Sequence, residues 1–353
     1  MAVESGSEAQ PTVAPQGPAK SWAQRGGALS LAQKFLTLRE GSIIVVTLVT
    51  FIYFWATTSR FVTTGGLQAL LPYFAPIAIM AAGEVFVMIN GEIDLSVGAV
   101  YLFTPFVFYK LNVNVGLPLL VSLILAVAVA GFIGTLNGLA ISVVGISSFV
   151  TTLGTLFLLS GLTLIISHAT PVTTPGTSAV SIGTFAQVFG AGTYSELFWA
   201  LGIVILLQVV LTFTRWGIYT VAVGGNRLGA AEAGIRTKLV LTRNFAVCAA
   251  LAGFVGLLEA VRSSTATPDP SGANDILFQA ISAAVIGGTL LRGGSGTVVG
   301  ALIGALFLGI LRDGLNIKGV SANYFYFYLG IAILIAMAFN TYVARVRTGS
   351  GRG

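Results

Sequence analysis

Side chains able to do acid–base or metal chemistry are scarce in this sequence, and two of them stand where carboxylates are costly. In VFVMINGEIDLSVGAV, residues 85–100, Glu92 and Asp94 lie two apart between apolar runs. Neighbouring carboxylates can share a proton or hold a cation. At a helix start they can instead accept from the free backbone N–H groups and oppose the positive helix end. Asp94 directly precedes an apolar run, so it reads as the cap of the third apolar helix. Glu92 reads as hydrated or paired with a cation on a partner or an inner loop. Glu84 and Glu259 fall within or near apolar runs, where an ionised carboxylate faces a cavity or finds a partner. Arg262 is three residues beyond Glu259, so those two form an i,i+3 pair. Glu84 has no such local partner and stands as a candidate pathway or ion-coupling group. With Cys248 and His168 each alone of its kind, no intrachain disulfide, metal site or nucleophile–base constellation can be assembled, and no catalytic residue is assigned.

The elements that must hold these groups are membrane helices. Of the 353 residues 55% are hydrophobic and only 8% charged, with mean hydropathy +0.92, far too few charges for a soluble surface. Runs such as PLLVSLILAVAVAGFIG are apolar on every face, which excludes a barrel with alternating strands. The fold class is therefore all-α and polytopic, with about ten helices near residues 42–58, 69–90, 96–110, 117–140, 148–167, 197–214, 245–262, 276–291, 296–311 and 324–343. Residues 1–40 read as a disordered cytoplasmic tail with a short helix over 28–39 and no removable signal peptide; 41–344 form the membrane domain and 345–353 a short cytoplasmic tail. With the N-terminus inside, thirteen Lys and Arg residues fall on inner segments and five on outer ones. That bias puts both termini in the cytoplasm and accounts for the net charge of +6 without a nucleic-acid partner. Gly296, Gly300 and Gly304, and likewise Gly131, Gly134 and Gly138, form small-residue faces for close helix packing within the chain. A weak echo between MINGEIDLSVG and VIGGTLLRGGSG leaves an internal repeat open.

The longest inner segment, 215–244, carries basic residues and then GGNRLGAAEAGI. Gly224 and Gly225 permit a tight turn, Asn226 caps, and Ala230, Ala231, Glu232, Gly234 and Ile235 belong to a short helix with a small apolar face, suited to lying in a groove of another protein. The alternative is a solvated basic loop on the lipid surface.

GEIDLSVGA, SFVTTLGTL, AVGGNRLGAAEAGI and AAVIGGTLLRGGSGTVVGALIGALFLGIL together resemble the permease subunits of bacterial ATP-binding-cassette sugar importers of the ribose, xylose and galactose type, in the branched permease superfamily. The resemblance spans roughly residues 42–343. It implies a vitamin-B12-importer-like (type II) arrangement in the bacterial cytoplasmic (inner) membrane. It also implies two permease subunits around a pore, cytoplasmic ATPase subunits docked on 215–244, and an extracytoplasmic sugar-binding protein. Asp94, Ser96 and Gly98 match the signature turn of that family, while Glu92 departs from its usual glycine. No phosphate-binding Gly-x-x-x-x-Gly-Lys-Ser/Thr loop is present, so this chain carries no cofactor; ATP and magnesium belong to the partner ATPase subunits. Glu84, Asn90, Thr152 and Thr155 are candidate pathway residues, with Asn137, Thr151, Gln208 and Gln279 as further hydroxyl partners. Arg60, Arg262 and Lys318, with Arg312, are candidate docking residues for the binding protein. The competing reading is a proton- or sodium-coupled secondary transporter using Glu84, which leaves 215–244 without a purpose.

Overall fold

Long apolar runs without water must satisfy their backbone internally, and here they do so as helices. A computed structural model describes residues 41–174, 183–321 and 323–347; the expected tail over 1–40, with its helix at 28–39, lies outside them. In chain order the helices are α1 (Gly41–Thr57), α2 (Thr64–Ile89), α3 (Val97–Tyr109), α4 (Leu119–Leu139), α5 (Ser148–Ser167), α6 (Gly183–Ala186), α7 (Ser195–Phe213), α8 (Arg215–Gly225), α9 (Arg227–Glu232), α10 (Thr237–Ser263), α11 (Pro270–Ile286), α12 (Val298–Ile317) and α13 (Asn323–Arg347). Wider π turns extend α3, α4 and α6. Among the described residues six helices, namely α2, α4 with its π turn, α5, α7, α10 and α12, are long and apolar enough to cross a membrane. Shorter apolar stretches lie in α1 and α13.

Helix α2 is the centre of the bundle. Its small residues, Ala75, Ala78, Ala81, Ala82 and Gly83, are buried and let neighbouring backbones approach; a methyl on Gly83 would sit 3.0 Å from Cα of Cys248 on α10. The glycine faces pack within the chain. A Cβ on Gly134 or Gly138 of α4 would lie 2.3 Å from the Phe245 carbonyl oxygen or 2.5 Å from Cα of Thr242, both on α10. Gly300 and Gly304 of α12 meet Gly287 and Ala283 at the end of α11 in the same way. By contrast, α4, α5 and α7 turn Ile124, Phe132, Phe157, Leu158, Phe198 and Phe213 outward, an apolar belt fitted to lipid and not to water.

Several boundaries differ from the hydropathy reading: α2 starts at Thr64 and not near 69, and α12 runs on to Ile317 and not to 311. Helix α10 starts at Thr237, about two turns before the apolar run, because Val240, Leu241 and Asn244 are buried while Lys238 is exposed. Helix α11 starts at Pro270 within the polar stretch PDPSGAND: Asp269 accepts from Ser271 N–H at 3.0 Å, and proline at the first helical position needs no donor. At the end opposite α8 and α9, the antiparallel pair β1 (Val172–Thr173) and β2 (Thr265–Ala266) ties the two connecting loops together, Val172 facing Ala266.

Candidate functional site

The segment 215–244 folds as α8, α9 and the first turns of α10, two helices and a helix start where a loop with one short helix is expected. The junction between α8 and α9 depends on Asn226, whose side-chain oxygen accepts from Gly229 N–H at 2.9 Å, a helix cap as the sequence predicts. Helix α9 buries Ala230 and exposes Leu228, Ala231 and Glu232, so a short face of small and apolar residues points away from the protein. Gly234 closes it with φ +82, the left-handed backbone that glycine adopts cheaply, and Ile235 returns to the core.

This surface helix is wired to the end of α2. Arg227 donates to Glu92 at 2.6 Å, which realises the inner-loop partner considered for that carboxylate. Gly224 lies so close to the end of α2 that a Cβ would fall 1.6 Å from the Ile89 carbonyl oxygen, and the same oxygen accepts from Gly294 N–H at 2.7 Å. The turns Gly91–Glu92, Gly224–Asn226 and Arg292–Gly294 are thereby in contact, so the two echoing motifs meet in space. Beneath them is a hub that the sequence reading missed. The amide nitrogen of Asn244 donates to Asn90 Oδ1 at 2.6 Å, to the Phe86 carbonyl at 3.2 Å and to Thr220 Oγ1 at 3.2 Å. Its oxygen accepts from the Trp216 indole at 2.7 Å, and Arg243 lies 4.1 Å over that ring. The available signal was an amide and an indole in apolar stretches, each beside an arginine.

The expected cap at Asp94 is corrected in its geometry. Ser96 is the N-cap position of α3 and makes no side-chain cap bond; Asp94 Oδ1 accepts from Ser96 N–H at 2.9 Å and Ser96 Oγ at 2.5 Å, closing the turn two residues on rather than the first helical N–H groups. The chain of bonds continues from Asn137 Nδ2 to Ser96 Oγ at 2.9 Å and from Thr155 Oγ1 to Asn137 Oδ1 at 2.7 Å. Thr152 Oγ1 accepts from Leu95 N–H at 3.0 Å. Gly98 lets α3 lie on α11, since a Cβ there would be 2.5 Å from the Ala273 carbonyl oxygen. Asp94 is fully buried, and burial pushes its carboxyl up to about 6 against the opposing pull of the Ser96 bonds. Glu84 is equally buried; its Oε1 accepts from the Cys248 thiol at 3.7 Å, while among the described residues its Oε2 has no hydrogen-bond partner. Of the four proposed pathway residues, Thr152 and Thr155 knit the signature turn to α4 and α5, Glu84 meets the Cys248 thiol on α10, and Asn90 belongs to the Asn244 hub, where it also donates to the Thr220 carbonyl at 2.9 Å.

The gathered turns fall inside residues 66–337, which match the family described as branched-chain amino acid transport system / permease component. The chain belongs to this permease family. It is 33% identical over 316 residues to the xylose/arabinose import permease protein of Sulfolobus acidocaldarius, covering 87% of this chain and 86% of that protein. It is 33% identical over 302 residues to the ribose import permease protein of Escherichia coli (85% and 93%), and 29% identical over 307 residues to the D-allose transport system permease protein of the same species (87% and 93%). No solved structure matches.

At the other end of the permease the proposed docking cations have unequal surroundings. Arg262 bonds to Glu259, with Nε at 3.0 Å from Oε2, and lies 3.4 Å from Glu196. Lys318 donates to Tyr53 OH at 2.9 Å and sits 4.3 Å over that ring. Arg60 is exposed in the turn before α2. Arg312 does not pair with the adjacent Asp313, because successive residues on a helix point apart; Arg312 turns toward Gln279, at 3.4 Å, and lies 5.1 Å over the rings of Tyr73 and Phe325.

Proposed function

We infer that this permease is the transmembrane subunit of an ATP-binding-cassette importer that forms the pore for monosaccharide uptake. In this reading two permease subunits in the bacterial inner membrane adopt a vitamin-B12-importer-like arrangement of ten membrane helices with both termini in the cytoplasm. A binding protein delivers sugar from outside, and ATP and magnesium act on partner ATPase subunits docked on α9. The observation that carries it is the exposed face Leu228–Ala231–Glu232 on a helix braced against the end of the most buried helix. A push on α9 meets Arg227–Glu92 and the Gly224–Ile89 contact within a few ångströms, so it is transmitted to α2 and the loop before α12 and not absorbed by a flexible connection. The names of these three relatives, permeases for xylose/arabinose, ribose and D-allose, point the same way. An ion-coupled carrier using Glu84 leaves the exposed face of α9 without a purpose.

The test is reconstitution in proteoliposomes with the cognate ATPase and binding protein. Uptake of D-ribose, D-xylose, L-arabinose or D-allose that requires ATP and all three components is the expected result. Uptake that proceeds without ATPase subunits, driven by a proton or sodium gradient, refutes the reading.

A further inference from the structure

At the end of the bundle away from α8 and α9, a polar cavity of about 310 Å³ opens between the first half of α2, the last turn of α10, the first turns of α11 and the last turns of α12. Its lining includes Tyr73, Glu259, Arg262, Asp275, Gln279 and Arg312. Charged groups within an apolar bundle are expensive, and they persist where they face a cavity or a passing solute. The size falls at the lower end of small-ligand sites, roughly 300–1,000 Å³.

The chemistry of the lining selects among ligands. Arg262 and Arg312 are matched by Glu259 and Asp275, so the cavity has no net preference for an anion or a cation; it presents alternating donors and acceptors, which suits a neutral polyol. Gln279 is 3% exposed, and among the described residues its Oε1 is engaged only by the long 3.4 Å contact from Arg312. Among the described residues, no salt bridge engages Arg312, whose guanidinium is held between Tyr73 and Phe325. Asp275 accepts from Tyr326 OH at 2.5 Å, which fixes one carboxylate oxygen and leaves its other lone pairs for a hydroxyl. A second cavity of about 220 Å³ adjoins the first and shares Tyr73 and Arg312 with it, so the Arg312–Tyr73 stack is the partition between them.

We propose that this cavity is a monosaccharide way-station within the subunit, in which Gln279, Asp275 and Arg312 bond sugar hydroxyls and the Tyr73 ring covers an apolar C–H face. The proposal deepens the importer reading and rests on it. It differs from binding-protein docking because the polar groups are recessed between helices, whereas docking charges belong on the rim.

The experiment uses the assembled permease and ATPase in proteoliposomes with saturating binding protein, and the same assembly in nanodiscs without binding protein. Gln279→Leu is expected to lower uptake on the order of tenfold, the size of one or two lost hydrogen bonds. Affinity for the binding protein and basal ATPase activity should stay within twofold. Saturation-transfer NMR with D-ribose, D-xylose, L-arabinose and D-allose should show contact for the imported sugar in the nanodiscs and lose it in the variant. Asp275→Ala, at a half-buried position, gives the same readouts if Gln279→Leu does not assemble. Uptake unchanged in the variants overturns the way-station while leaving the importer intact. A loss of uptake traced to weakened binding-protein affinity overturns it as well, because the cavity is then a docking surface. An assembly that imports none of the four sugars overturns the importer reading and the way-station together.

Discussion

Asn244 is where the structure makes its sharpest demand. Its side chain is 1% exposed and joins α10 to the end of α2 through Asn90 and Phe86, and to α8 through Thr220 and Trp216. In Asn244→Ala the Asn90 carbonyl oxygen and the Trp216 indole N–H lose their partners in a buried setting. Each orphaned polar group costs about 1–3 kcal/mol, so the substitution should cost roughly 2–6 kcal/mol. An unfolding entropy near 2.1 cal/mol/K per residue gives roughly 1.4 °C per kcal/mol for a chain of 353 residues, and hence a fall of roughly 3–8 °C in melting temperature. The assay is thermal unfolding of the purified permease in nanodiscs, followed through tryptophan fluorescence, beside ATP-dependent uptake by the reconstituted assembly. Asn244→Asp retains the acceptor for Trp216 and, when protonated at low pH, offers one O–H donor toward Asn90, so at low pH it should fall between wild type and Asn244→Ala. Because the hub connects α8 to α2, uptake should decline more than basal ATPase activity. A melting temperature within 1 °C of wild type together with full uptake would refute the reasoning, since the amide would then be replaceable by water.

Ala231→Phe or Glu232→Lys, on the exposed face of α9, should reduce co-purification with the ATPase and uptake by severalfold without changing the melting temperature; unchanged co-purification and uptake count against α9 as the docking helix. For Asp94, the carboxyl raised to about 6 by burial contributes stability that is complete below the ordinary value near 4 and is lost as pH rises through 6. Wild-type melting temperature should accordingly fall between pH 4 and 6 relative to Asp94→Asn, which keeps the turn to Ser96 and most uptake, whereas Asp94→Leu should be destabilised at every pH; parallel curves for wild type and Asp94→Asn would contradict this account. Charge reversal at Arg60 should weaken binding-protein association and flatten its salt dependence, measured by surface plasmon resonance at two ionic strengths. Lys318 is the poorer probe, because its reversal also removes the contacts with Tyr53, and an affinity and salt slope unmoved by Arg60→Glu would relocate docking elsewhere.

Local chemistry made several features legible in the chain itself. Uninterrupted apolar runs leave the backbone no partner but its own, so helices follow from composition. Asn226 before RLGAAE announces a cap, and Glu259 three residues ahead of Arg262 announces a pair, because both depend on neighbours within one turn. Hydropathy placed α10 and α11 too late, since a helix continues into polar sequence when one of its faces is buried or a cap such as Asp269 is present. The other decisions involve residues far apart. Asp94 is followed by a helix that it does not cap, because Ser96 swings toward it and Asn137, 41 residues on, takes the serine hydroxyl. Glu92 finds Arg227 across 135 residues, and Asn244 finds Asn90 across 154. Periodicity carries no information about which helix lies beside which, and a glutamine in a membrane helix looks the same in sequence whether it glues two helices or lines a cavity. Only the packing of small residues, Gly98 on Ala273 and Gly224 on Ile89, brought the backbones close enough to decide those partners.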